Sequence, residues 1–201
     1  MADRFKPLPI FPTLVHGFHL PNFKTDKDKF VKYIEEQRVK DPAGVQISNG
    51  GGWQSQATQS GQRSKLTTTL KKAILNYFDD PEIFNKSGKV KIAGMWLNIN
   101  SKDNFNFPHT HAGADFAGVC WIQANPHSGK LVLNAPTQFS QWDEWRIYSE
   151  SAKRFFRADH GYEVEPLEGL VVIFPACLYH LVLPNRSDTD RISVSFNLEI
   201  I

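Results

Sequence analysis

The sequence predicts a mainly β protein of the sandwich, barrel or jelly-roll kind, preceded by two helices. Three observations predict it. The periodicity changes from helical to strand-like near residue 88, many short runs rich in Val, Ile, Phe and Trp follow, and Pro, Gly, Asn and Asp punctuate them. No internal repeat or low-complexity tract indicates a linker. The expected organisation is one domain over 1–201, with a helical part at 1–87 and a β core at 88–201.

Thr25 or Asp26 can cap a first helix through KDKFVKYIEEQRVK, which places Phe30, Val31 and Ile34 on one face and stops at Asp41-Pro42. A second helix fits SKLTTTLKKAILNYF. There Leu66, Leu70, Ile74, Leu75 and Phe78 recur at helical spacing, and Pro81 closes it. Between them SNGGGWQSQATQSG reads as a loop. Trp53 inside that loop either folds back on the core or walls a binding site.

The strands then follow: KVKIAGMWLNIN, AGVCWIQ, KLVLN, GLVVIF, YHLVL and DRISVSFNLEI. FSQWDEWRIYSESAKRFFRADHGY interrupts them as either a surface elaboration or a lid. The last strand alternates strictly. Ile192, Val194, Phe196, Leu198 and Ile200 point one way, and Arg191, Ser193, Ser195 and Asn197 the other. Asn98 and Asn100 form a similar polar row, expected to share a face with Trp96 and Ile92. Polar rows beside a Trp suit the inside of a barrel-like cavity better than open solvent.

Composition narrows the function classes. The 201 residues carry 23 basic and 21 acidic side chains, a net charge of +2, which argues against a nucleic-acid or membrane-surface role. Two cysteines, Cys120 and Cys177, make no disulfide framework, and the start of the chain does not read as a secretory signal. A cytoplasmic setting is the expectation.

The chemistry sits in Pro108-His109-Thr-His111-Ala-Gly-Ala-Asp115 and in a distant third imidazole, His180. Residues i and i+2 on a strand point the same way, so His109 and His111 can meet one metal ion, and Asp115 can add a carboxylate. Three metal chemistries compete: a zinc staple through His109, His111, Cys177 and His180, a cupin-like binding protein without turnover, and a non-haem iron oxygenase. Arg191 separates them. It lies 11 residues after His180 on the polar face of the last strand, where it can grip a carboxylate with two parallel hydrogen bonds while Ser193 adds a third. An oxygenase holding 2-oxoglutarate calls for that pair.

Together, SNGGGWQS (48–55), WLNIN (96–100), HTHAGADFAGV (109–119), GLVVIFPACLYHLVLPN (169–185) and DRISVSFN (190–197) resemble a family. It is the small stand-alone 2-oxoglutarate/Fe(II)-dependent oxygenases of bacteria and their phages. The resemblance implies a double-stranded β-helix (jelly roll) with two flanking N-terminal helices. It also implies Fe(II), 2-oxoglutarate and O₂ as reactants, and succinate and CO₂ beside an oxidised substrate. Carried over by position, it puts metal ligands at His109, His111 and His180 and the 2-oxoglutarate contact at Arg191 and Ser193. Where the wider superfamily has His-x-Asp or His-x-Glu this chain has a second His. Either three histidines bind the iron, or Asp115 completes a two-His-one-carboxylate set. Asn98, Asn100 and Trp121 are further candidates for contact with the co-substrate, Trp121 standing where many relatives carry tyrosine. Trp53 joins Asn98 and Asn100 as a candidate for positioning co-substrate or substrate.

Overall fold

A computed structural model describes residues 12–58, 64–85, 88–136, 146–156 and 161–201. Two antiparallel sheets face each other, and helices cover the outer face of the larger one. In chain order the elements are β1 (His16–His19), α1 (Phe23–Lys40), β2 (Asn49–Gly50), β3 (Trp53–Gln54), α2 (Lys65–Phe78), β4 (Val90–Asn100) and β5 (Phe105–His109). Then come β6 (Phe116–Gln123), β7 (Leu131–Asn134), α3 (Glu150–Phe156), β8 (Gly161–Val164), β9 (Leu170–Pro175), β10 (His180–Val182) and β11 (Arg191–Ile200). The larger sheet runs β1-β9-β6-β11-β4-β3 and the smaller β2-β5-β10-β7-β8, the two walls of a double-stranded β-helix.

Both expected helices form. Ser64 caps α2 through a capping box with Thr67, as a Ser with a side-chain acceptor three residues on can do. The start of α1 differs from expectation: it begins at Phe23, its N-cap is Asn22 in the left-handed region, and neither Thr25 nor Asp26 caps it. Asp26 instead sits one turn inside, paired with Lys65 of α2, which ties the two helices together.

Three layers result. Phe30 and Ile34 of α1 and Leu66, Leu70 and Ile74 of α2 pack against Leu97, Ile99, Ile192, Val194, Phe196 and Leu198 of the larger sheet. Each such side chain contributes about 1.5–3 kcal/mol on burial. A second cluster, including Trp121, Leu131, Phe174 and Leu178, fills part of the space between the sheets. Lys27 bonds Glu168 at 2.7 Å, and Glu168 also accepts the Ala124 N–H, so α1 is pinned to the β6 and β9 ends.

The alternation of β11 is realised from Arg191 to Leu198, whereas Ile200 at the strand end is exposed rather than buried. Ile192, Val194, Phe196 and Leu198 lie under the helices, while Arg191, Ser193 and Ser195 line the cavity between the sheets. One detail of the β4 row is corrected. The register passes from Asn197↔Gly94 to Leu198↔Ile92, so Ala93 is a bulge and Ile92 turns to the helix face, away from Trp96. Five strands escape the sequence pattern: β1, β2, β3, β5 as a separate strand, and β8. Of the interrupting stretch at 139–162, residues 139–145 and 157–160 lie outside the described residues, and with them the choice between lid and surface elaboration. Its described part holds α3 and the start of β8.

Candidate active site

His109 ends β5 and His180 opens β10, directly across from one another in the ladder. Two residues along, the register shifts so that Val182 pairs with Asn106, which leaves one extra residue on β5. That bulge lets Asn106 and His109, three apart, both line the cavity, and it turns Phe107 out to solvent. His111 does not share the strand, contrary to the sequence expectation. β5 stops at His109, and His111 lies in the following turn, its N–H donating to Ala176 O at 2.9 Å. The three imidazoles nonetheless converge. Their centroids stand 5.1 Å (109–111), 4.3 Å (109–180) and 5.0 Å (111–180) apart, and one nitrogen of each lies within 4.8 Å of the others.

Each ring is held by its Nδ1. His109 Nδ1 bonds Phe107 O at 2.7 Å, His180 Nδ1 bonds Leu178 O at 2.8 Å, and His111 Nδ1 bonds Asn197 Oδ1 at 2.5 Å. All three partners are oxygen acceptors, so each Nδ1 carries the proton and each Nε2 keeps a free lone pair. That is the arrangement of a metal-ligating histidine. Burial lowers all three basicities, His180 to about 3, so the imidazoles are neutral at pH 7, the form a cation requires.

Arg191 marks another part of the same cavity. Its side chain is 1% exposed, and Nη1 donates to the carbonyls of Ser128, Gly129 (3.3 Å) and Leu183 (3.0 Å). Nη2 is buried and has no partner among the described residues. Burial pulls the guanidinium down only to about 10, so it stays charged. An unpartnered buried guanidinium nitrogen is costly, and an anionic oxygen is the natural complement. The approach of the β6–β7 turn depends on Gly129, at φ +83°, where a Cβ would stand 2.1 Å from Leu183 O and 2.7 Å from Nη1.

Ser193, Asn98, Asn100 and Trp121 all line this cavity, and Asn98 Nδ2 donates to Ser195 Oγ at 3.0 Å. Two other candidates do not join it. Trp53 packs into the helix-side core and donates Nε1–H to Asp41 O at 2.7 Å. Asp115 accepts the Ile200 N–H through Oδ2 at 2.7 Å and is not part of the imidazole cluster. Cys177, needed for a zinc staple, is exposed and likewise outside it. Asn197 and Trp96, which the sequence places in the polar rows without a role of their own, both reach His111: Asn197 accepts from its Nδ1 and Trp96 stacks on its ring at 5.7 Å.

A cavity with three Nε2 lone pairs and an unpartnered guanidinium nitrogen suits a metal-bound dicarboxylate chelate, and comparison with known proteins agrees. Residues 94–197 match the model of the family described as "Putative 2OG-Fe(II) oxygenase". The chain belongs to that family. It is a non-haem Fe(II) enzyme that uses 2-oxoglutarate and O₂, coupling oxidative decarboxylation of the keto acid to oxidation of a second substrate. No curated protein matches in sequence. In fold it is similar to a Pseudomonas putida prolyl-4-hydroxylase, with 14% identity, 92% of each chain covered and a TM-score of 0.62. It is also similar to HygX from Streptomyces hygroscopicus, solved with nickel and 2-oxoglutarate bound, with 12% identity, 93% of this chain and 83% of that one covered, and a TM-score of 0.60. A third is a viral collagen prolyl hydroxylase from Paramecium Bursaria Chlorella virus-1, with 9% identity, 92% and 94% covered and a TM-score of 0.58.

Proposed function

We propose that His109, His111 and His180 hold the Fe(II), and that Arg191 with Ser193 holds the far carboxylate of 2-oxoglutarate. The observation that carries this reading is the unpartnered, buried Nη2 of Arg191 in the cavity that also contains three Nδ1-anchored imidazoles. The bound metal with 2-oxoglutarate and O₂ supplies the oxidising power, leaving succinate and CO₂. The chain's own residues orient and shield. Arg191 is immobilised by its Nη1 bonds, so little rotamer freedom remains to be lost when a carboxylate arrives. Ser193, two residues along the same face, offers a hydroxyl donor to that carboxylate. Asn98, Asn100 and Trp121 wall the space between, where Trp121 can donate an indole N–H but cannot accept. Three imidazoles provide no negative charge, so the co-substrate is the anion that offsets the metal.

The setting we propose is the reducing cytoplasm. Cys120 is buried, its thiol pushed up to about 12, Cys177 is exposed, and both are free. No helix among the described residues is long and apolar enough to cross a membrane.

The test is succinate formation from 2-oxoglutarate by purified protein with added Fe(II), run beside His180→Ala. Metal-dependent succinate from the wild type and none from the variant is the expected result. Equal turnover by both would overturn the ligand assignment.

A further inference from the structure

Of the three imidazoles, His111 has the least support from the sheet. His109 and His180 sit on paired strands and bond backbone carbonyls two residues away in their own segments. His111 lies in a turn, and its ring is fixed by the opposite wall. Asn197 of β11 accepts from Nδ1 at 2.5 Å, and Trp96 of β4 covers a ring face at an interplanar angle of 27°. Asn197 pairs with Gly94 on one side and Ala117 on the other, so its neighbours across both strands are the smallest available. We infer that Asn197 is a positioning residue: its amide oxygen, with Trp96 behind the ring, sets the tautomer and angle at which His111 presents Nε2. The inference rests on the three-imidazole centre proposed above. It makes β11 the common support of both functions, Arg191 for the anion and Asn197 for the third metal ligand.

Without that acceptor a free imidazole favours the Nε2–H tautomer, which has no lone pair to give where the other two Nε2 atoms point. Outer partners of metal-bound histidines typically carry a 10–100-fold effect on metal affinity. Two readouts separate the possibilities. Nitrogen-15 NMR of the metal-free protein reports the tautomer of His111 directly. It should be Nδ1–H in the wild type and in Asn197→Asp, which keeps an acceptor, and should shift toward Nε2–H in Asn197→Ala. Co(II) titration should then show roughly 10–100-fold weaker binding for Asn197→Ala, with a changed visible spectrum, and near wild-type binding for Asn197→Asp. If Asn197→Ala fails to fold, Asn197→Ser, whose hydroxyl is too short to span the gap, takes its place. An unchanged tautomer and unchanged Co(II) binding in the alanine or serine variant would overturn the inference. If His109→Ala and His180→Ala bind Co(II) like the wild type, the three-imidazole reading fails instead, and the NMR result stands on its own.

Discussion

The two faces of β11 differ as completely as two faces of one strand can. Ile192, Val194, Phe196 and Leu198 are at most 1% exposed beneath α1 and α2, and their contribution is burial. Arg191, Ser193 and Ser195 line the cavity and Asn197 holds the ring of His111 in its wall, so each polar group has a specific geometry to satisfy. One face can absorb a change of shape at a cost in stability alone. The other carries recognition, and one of its members, Arg191, retains an unmet hydrogen-bonding demand among the described residues.

The difference can be broken from either side. The largest expected effect is on the apolar face. Phe196→Ala should cost about 3–5 kcal/mol in urea unfolding, because the ring is fully buried and lies against Gly118, where its removal leaves a void. The fraction that stays folded should bind metal with unchanged stoichiometry. If metal binding is lost as well, the two faces are not independent.

Arg191→Leu acts on the other face. Truncating one partner of a buried charge pair costs about 2–5 kcal/mol, so calorimetric titration of 2-oxoglutarate into Ni(II)-loaded protein should show a loss of that size. Metal affinity should stay as it is. The stability change should be smaller than for Phe196→Ala, because relief of a buried charge offsets the three carbonyls that lose their donor.

Acid sharpens the contrast on a smaller scale. Above pH 6.5 the cluster imidazoles are neutral in both folded and unfolded chains. Below it the unfolded chain takes up protons, while folded His180 does not until about pH 3, so the metal-free protein loses stability as pH falls through that window. His109 and His111 shift the same way. At pH 5.5 the His180 share is about 1 kcal/mol, readable as a lower denaturation midpoint than at pH 7.5. His180→Ala should flatten the slope. The smallest effect belongs to Ser193→Ala, about 1 kcal/mol in 2-oxoglutarate affinity with no change at the metal.

Much of this was legible in the sequence, for reasons particular to each element. The β11 alternation needs only a period of two, and it placed Arg191 and Ser193 in the cavity. The helices followed from Leu66, Leu70, Ile74 and their counterparts at helical spacing. What could not be read depends on register. A single extra residue at Ala93 moves Ile92 to the helix face, and another between Asn106 and His109 aims His109 inward, yet neither leaves a mark in hydrophobic pattern. The histidine pair was found by a spacing rule whose premise fails, since His111 is off the strand and returns through Ala176 and Asn197. The strands β2 and β3 are two residues each, too short to show any period, and their Gly-Ser-rich surroundings read as loop. Trp53 from that segment serves the core.

The central proposal is that the metal is held by three imidazoles, with no carboxylate joining them among the described residues. Anaerobic Fe(II) titration of the wild type beside His111→Ala and Asp115→Ala tests it most directly. Asp115→Ala should bind with wild-type affinity and His111→Ala with a large loss. Retained binding in His111→Ala together with its loss in Asp115→Ala would contradict it.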